Sequence, residues 1–234
     1  MASNKKIAQL FAGSALIAAF LLAWTSPARC TNCTSSISVS CTIASPGSYT
    51  LTANITGGTG ADALPVTTAG DVTIDLGGFS IQGGTTSGQA IDGCAGSACT
   101  TNVTVKNGHV KSSGTYGIDT DTITDVETTQ LTGNTSYAIW PGVVATFSQS
   151  AIVNNSNIGI NGSSENVTLD AVVTGNSGSG IVTGTGGLVA EVVSASNTGT
   201  GISAGTDTGY TRDVTGGNTT GCSGGVSLGQ NLCN

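Results

Sequence analysis

The chain has little charge, few aromatic side chains and almost no histidine. Of its 234 residues, 8% are Asp, Glu, Lys or Arg, 4% are aromatic, and His109 is the one histidine. Six basic residues against thirteen acidic ones leave a net charge of −7. A surface of that sign repels phosphate backbones and anionic headgroups, which sets nucleic-acid binding aside. One histidine among seven cysteines argues against a zinc site, where cysteines pair with further Cys or His at fixed intervals. Beyond residue 28 no segment holds a sustained helical period. Low charge with 38% hydrophobic residues is also the reverse of a disordered composition.

What is present begins with a leader. Lys5 and Lys6 precede an apolar run from Ile7 to Trp24, and Ser26-Pro27-Ala28 supplies a small-x-small cleavage site. This layout predicts a signal peptide over 1–28, cleaved after Ala28, and a secreted or periplasmic product without stable membrane insertion. A membrane anchor is the weaker alternative, and Pro27-Ala28-Arg29 before Cys30 is no lipobox. The mature chain then carries four basic and thirteen acidic residues, a net charge of −9. Export makes disulfides the expected fate of the cysteines. Cys94 pairs with Cys99 and Cys222 with Cys233 on this reading, while Cys30, Cys33 and Cys41 leave one pair and one odd thiol.

Glycine, threonine, serine and valine are abundant, a composition for strands and tight turns. A small-then-aliphatic pair recurs at Ala63-Leu64, Ala90-Ile91, Gly117-Ile118, Ala138-Ile139, Gly159-Ile160, Gly180-Ile181, Gly201-Ile202 and Gly225-Val226, with steps of 27, 27, 21, 21, 21, 21 and 24. Val110, Leu131, Ile152 and Val173 keep the same step, and so do Val105, Val126 and Phe147, before a break at Thr168 and a return at Val189. A fixed period of this length means a stacked solenoid, and β-branched residues in place of a leucine consensus exclude leucine-rich repeats. The fold class predicted is all-β: a single-stranded β-solenoid of about 21 residues per rung and about eight rungs. Each rung lies about 4.8 Å from the next, in parallel register. Asn134, Asn155, Asn176, Asn197 and Asn218 form a second unbroken column, read as a structural ladder in which asparagine accepts the left-handed backbone of a sharp turn and amides bond along the axis.

The 21-residue coil, the inward aliphatic stacks and the asparagine column resemble right-handed parallel β-helix proteins of the pectate-lyase-like superfamily. "GSYTLTANITGG…DVTIDLGGFSI" over 47–81 and "GGVSLGQNLC" over 224–233 are similar to small secreted bacterial β-helix proteins without an assigned activity. A solenoid's raw strand edges must be covered at both ends, which assigns 29–48 to an N-terminal cap and 222–234, closed by Cys222–Cys233, to a C-terminal cap around the helix over 49–221; the resemblance itself speaks to the fold. It leaves function open, because this fold carries lyases, hydrolases, adhesins and inert scaffolds.

Enzymes of that superfamily set residue requirements. Lyases use a lysine or arginine as base, and the coil offers Lys106, Lys111 and Arg212. Lys106 is expected to pair with Glu127, one rung on. Hydrolases need paired carboxylates and, in this superfamily, Gly-His-Gly and Arg-x-Lys. "NGHV" at 107–110 is neither, and His109 is expected to face solvent. "DTDTITDVE" over 119–127 is the richest acidic run, with Asp119 and Asp121 as weak calcium candidates, although the calcium-loop pattern is not met. No other cofactor is expected. Trp140 falls one rung beyond Asp119 and one before Asn161, an outward aromatic between a carboxylate and an amide, suited to stacking on a sugar ring. Tyr116 and Tyr137 share a column and are read as turn packing. The expectation is a non-catalytic extracellular or periplasmic scaffold or polysaccharide-binding surface, with a polysaccharide or cell-surface component as partner. The alternative is a polysaccharide lyase or related carbohydrate-active enzyme acting on an acidic glycan.

Overall fold

The computed structural model describes residues 30–93, 102–111, 113–120, 123–142, 144–162, 164 and 167–234. The leader over 1–28, the Cys94–Cys99 pair and Asp121 lie outside the described residues. All strand pairings among the described residues are parallel, and the chain forms a β-solenoid of about eight turns with no helix in them. Alternating Val, Ile and Thr suit this architecture, because a strand paired on both sides buries one pleat and exposes the other.

Each turn contributes to three faces. The first includes Gly47–Leu51, Val72–Asp75, Val144–Ser148 and Leu188–Ala190. The second includes Ser80–Gln82, Ser150–Val153, Ala171–Thr174, Val193–Ala195 and Val214–Gly216. The third includes Leu64–Pro65, Ile91–Asp92, Ile118–Thr120, Ile139–Pro141, Ile160–Asn161 and Ile181–Val182. Two long strands, Val103–Lys111 and Ile123–Thr132, run from the first face into the second.

The predicted columns are the core. Leu64, Ile91, Ile118, Ile139, Ile160, Ile181 and Ile202 pair in succession and are fully buried. Each such side chain is worth about 1.5–3 kcal/mol in burial before chain entropy is counted. Beyond Ile202 the column continues at Cys222, not Val226 as the sequence spacing suggested. The register shifts between Ala204 and Gly209, so Val226 reaches Gly209 on the first face and stays exposed. On the first face Val105, Val126, Phe147, Thr168 and Val189 stack inward, and the buried Thr168 hydroxyl has no hydrogen-bond partner.

Corners are made by left-handed residues in register. Asn107, Thr128, Gln149, Asp170, Glu191 and Arg212 all have φ between 47° and 60° and turn the chain from the first face to the second. The corner before the ladder uses Gly133, Asn154, Gly175, Ser196 and Gly217 in the same conformation. The strained residue is therefore the one preceding each ladder asparagine, which corrects the expectation that the ladder residues themselves are left-handed.

That correction explains the ladder's geometry. The left-handed residue turns the following N–H along the axis, and Asn134, Asn155, Asn176 and Asn197 each donate both the backbone N–H and Nδ2 to the Oδ1 one coil on, while Asn218 ends the ladder with its Nδ2 on Ser194 O. From Asn134 to Asn155 these distances are 3.0 and 2.8 Å, and from Asn176 to Asn197 they are 3.0 and 2.9 Å. Asn197 repeats the pattern onto Asn218, and Ser113 extends it backwards through its N–H to Asn134 Oδ1 at 3.2 Å. The glycines before Ile118, Ile160, Ile181 and Ile202 make room for this, and the coil of Ile139 accommodates the small Cβ of Ala138 in the same place. A Cβ on Gly180 would stand 2.7 Å from Asn197 Nδ2, and one on Gly159 3.0 Å from Asn176 Nδ2.

Disulfides tie both described ends. Cys33 is bridged to Cys41 and Cys222 to Cys233. At the C-terminal end Thr220–Ser227 and Leu232–Cys233 are strands in parallel register on the coil before them. At the N-terminal end Cys30–Asn32 pairs with Cys41–Thr42. The bridges are compatible with an extracellular protein. No helix among the described residues is long and apolar enough to cross a membrane.

Candidate functional site

The outward column of the third face runs Pro65, Asp92, Asp119, Trp140, then Asn161, Val182 and Ser203. Asp119 pairs directly with Trp140, and Ile139 with Ile160 places Asn161 one coil further on. Strand alternation produces this arrangement: with Ile118, Ile139 and Ile160 pinned inward, the next residue in each coil must point out. Asp92, which the sequence reading passed over, adds a second carboxylate directly beside Asp119 in register.

Trp140 does not stand alone. Tyr116 and Tyr137 stack in parallel with centroids 5.5 Å apart and an interplanar angle of 3°. The Trp140 ring meets both nearly edge-on, at 4.8 Å and 88° from Tyr116 and 5.5 Å and 85° from Tyr137. Three almost equal distances put the indole across the pair rather than against one ring. Aromatic contacts of this type are worth about 0.5–1.5 kcal/mol beyond area burial, so the cluster is preorganised. Trp140 remains 39% exposed and both tyrosines are half-buried. The tyrosines were expected as turn packing by strand parity. They precede the strands, at the corner, where parity does not apply.

Burial raises the Tyr116 hydroxyl above its ordinary value, and the neighbouring Asp119 carboxylate and Tyr137 push in the same direction. The phenol therefore stays protonated and can donate a hydrogen bond at any physiological pH. The cluster offers aromatic surface, a donor in Tyr116, carboxylate acceptors in Asp92 and Asp119, and an amide in Asn161 that both donates and accepts.

The other candidates lie elsewhere. Lys106 is the register partner of Glu127 on the first face, but they form no salt bridge. The ion pair among the described residues joins Arg212 to Glu191, both exposed, across adjacent coils at the left-handed corner. His109 and Lys111 are exposed on the second face. Of the calcium candidates, Asp119 is half-buried and Asp121 is outside the described residues. Among the described residues no group of three His, Cys, Asp or Glu converges on a metal position.

One buried acid escaped sequence reading. Asp213 follows left-handed Arg212 and is fully buried. Its Oδ1 accepts the Val192 N–H at 3.0 Å, its own N–H donates to Asn231 Oδ1 at 3.0 Å, and its Oδ2 has no partner. Burial pushes its carboxyl up to about 6, against the opposing pull of backbone N–H groups and Arg212. The preceding coils place Thr129, Ser150, Ala171 and Val192 at the same point after the corner, so the acid is built into the turn.

No family model matches the chain, and neither a curated protein nor a solved structure matches it.

Proposed function

We propose that this protein is a non-catalytic, secreted or periplasmic β-solenoid that binds polysaccharide through the Tyr116–Tyr137–Trp140 cluster and the adjoining Asp92, Asp119 and Asn161. The observation that carries the reading is the triangle of ring distances around Trp140. It holds an exposed indole rigidly beside hydrogen-bonding groups, the combination a sugar ring requires: an apolar C–H face to stack and hydroxyls to satisfy.

Charge selects the glycan class. Asp119 adjoins the indole, Asp92 lies one coil beyond Asp119, and the whole chain is acidic, which disfavours a uronate and favours a neutral glycan whose hydroxyls donate to these carboxylates. The same charge weighs against a lyase. A lyase needs a base at the scissile residue, and the outward column of the third face carries no Lys, Arg or His from Pro65 to Ser203.

The test is native electrophoresis of the full chain through gels that contain neutral or acidic polysaccharides. Retardation by a neutral glycan, lost on Trp140→Ala while the circular dichroism spectrum shows the variant still folded, is the expected result. No retardation by any neutral glycan, or retardation that survives Trp140→Ala, overturns the reading. A cleared zone after incubation would assign an enzyme instead.

A further inference from the structure

The second face has an apolar outer surface that the binding site does not use. Val172 pairs with Val193, Val193 with Val214, and Val214 with Leu232, and all four point outward. Their exposures are 43%, 41%, 44% and 54%, among the largest of any aliphatic side chains described. Ala151 and Val153 continue the surface one coil earlier, and Thr174, Ala195 and Gly216 lie beside it. Upstream the same columns turn polar, through Gln130 and Thr132 to His109 and Lys111. The stripe is thus confined to the C-terminal half of one flat face.

We propose that this stripe is the interface of a weak, reversible homodimer, in which two copies pack their second faces together antiparallel about a two-fold axis near Val193. Two observations select a second copy as the occupant. The first is periodicity. Four apolar side chains stand in a straight column repeating at the rung spacing of about 4.8 Å, and an interdigitating partner must present apolar groups at that same repeat. Another copy of this column does so by construction. Centring the axis on Val193 lays Val172 against Val214 of the other copy and Ala151 against Leu232, so every apolar residue meets another.

The second observation is charge. Thirteen acidic residues make any two copies repel, yet among the described residues none of them occupies an outward position on the second face. The nearest exposed acids, Asp170 and Glu191, stand at the corner beside the face, where Arg212 already pairs with Glu191. This face is therefore where two acidic solenoids can approach without burying like charges. A stripe five coils long and one strand wide falls at the small end of the interface range, so the dimer is expected in the micromolar range or weaker. Sheets packed in this way lie close to aligned, about 10 Å apart.

Sedimentation equilibrium of the full chain across micromolar to millimolar concentrations tests this. The expected result is a concentration-dependent rise to twice the monomer mass. Val193→Asp should abolish it while leaving the circular dichroism spectrum and melting temperature unchanged, whereas Thr73→Asp on the first face should leave it intact. Val193→Cys should give, with a short bifunctional maleimide that spans the gap between the two faces, a dimer whose cross-link maps to residue 193 in both copies. A monomer at all concentrations overturns the proposal and leaves the stripe to a partner other than this chain. Dimerisation that survives Val193→Asp overturns it equally, by placing the contact elsewhere. Glycan binding is read separately through Trp140, on the third face, so failure of either reading leaves the other standing.

Discussion

Asn155 sends two donors, its backbone N–H and its Nδ2, to the single Oδ1 of Asn176, at 3.0 and 2.9 Å. Asn176 repeats the gesture toward Asn197, and all these groups are buried. Because a buried donor left without an acceptor costs about 1–3 kcal/mol, the loss of one amide is felt in two coils.

Replacing Asn176 with Ala orphans the Asn155 N–H, leaves Asn155 Nδ2 with its longer bonds to Leu131 O and Val153 O at 3.3 Å, and removes the Nδ2 donor onto Asn197. The variant should lose about 3–5 kcal/mol in urea denaturation. Asn218→Ala at the half-buried end of the ladder orphans the Asn197 N–H, leaves Asn197 Nδ2 on Val173 O and Ser194 Oγ, removes the bond to Ser194 O, and should cost about half as much. Equal, small losses at the two positions would show that the ladder does not support the coil.

Thr168 breaks the first-face column between Phe147 and Val189 with a buried, unpartnered hydroxyl. Valine has nearly the same shape and no group to desolvate. Thr168→Val is therefore expected to stabilise the fold by about 1–2 kcal/mol, visible as a raised melting temperature. A lowered one would mean that the hydroxyl has a partner in solution.

Asp213 sets a pH dependence. Its carboxyl titrates near 6 in the fold against 3.8 in the ordinary state, so the folded chain holds the proton more tightly. The sign follows: stability from this group is full below about 3.8 and is lost as pH rises through about 6, a change on the order of 2–3 kcal/mol. Asp213→Asn keeps an oxygen for the Val192 N–H and carries no charge. The difference in melting temperature between variant and parent should favour the variant increasingly from pH 4 to pH 7. A difference that is flat over that window would remove Asp213 as its source.

Much of this fold is legible in the residue spacing, because a solenoid converts sequence period directly into spatial neighbours. Ile118, Ile139 and Ile160 stack because nothing but the 21-residue step is needed to bring them together. Where the step changes, legibility fails: the shift between Ala204 and Gly209 moved the last core position to Cys222 and left Val226 outside. Corners defeat the alternation rule for the same reason: the Tyr116–Tyr137 column was readable as turn packing, but its contact with Trp140 and the left-handed residue before each ladder asparagine were not. The Asp119–Trp140 neighbourhood was readable, since both residues sit within strands. The valine stripe went unremarked because outward valines look like ordinary strand formers until their exposure is known. Asp213 stayed hidden because burial just after a corner has no signature of its own in sequence.

The strict 21-residue register has a consequence for how such a chain can change length. Removing residues 134–154 would join Gly133 to Asn155, and each inward column, each left-handed corner and the amide ladder would close up by one step with every partner of the same kind as before. Removing a single residue from within a strand would turn the core side chains beyond it toward water. Length in this molecule is quantised, so its lineage can grow or shrink by whole storeys far more readily than by single bricks.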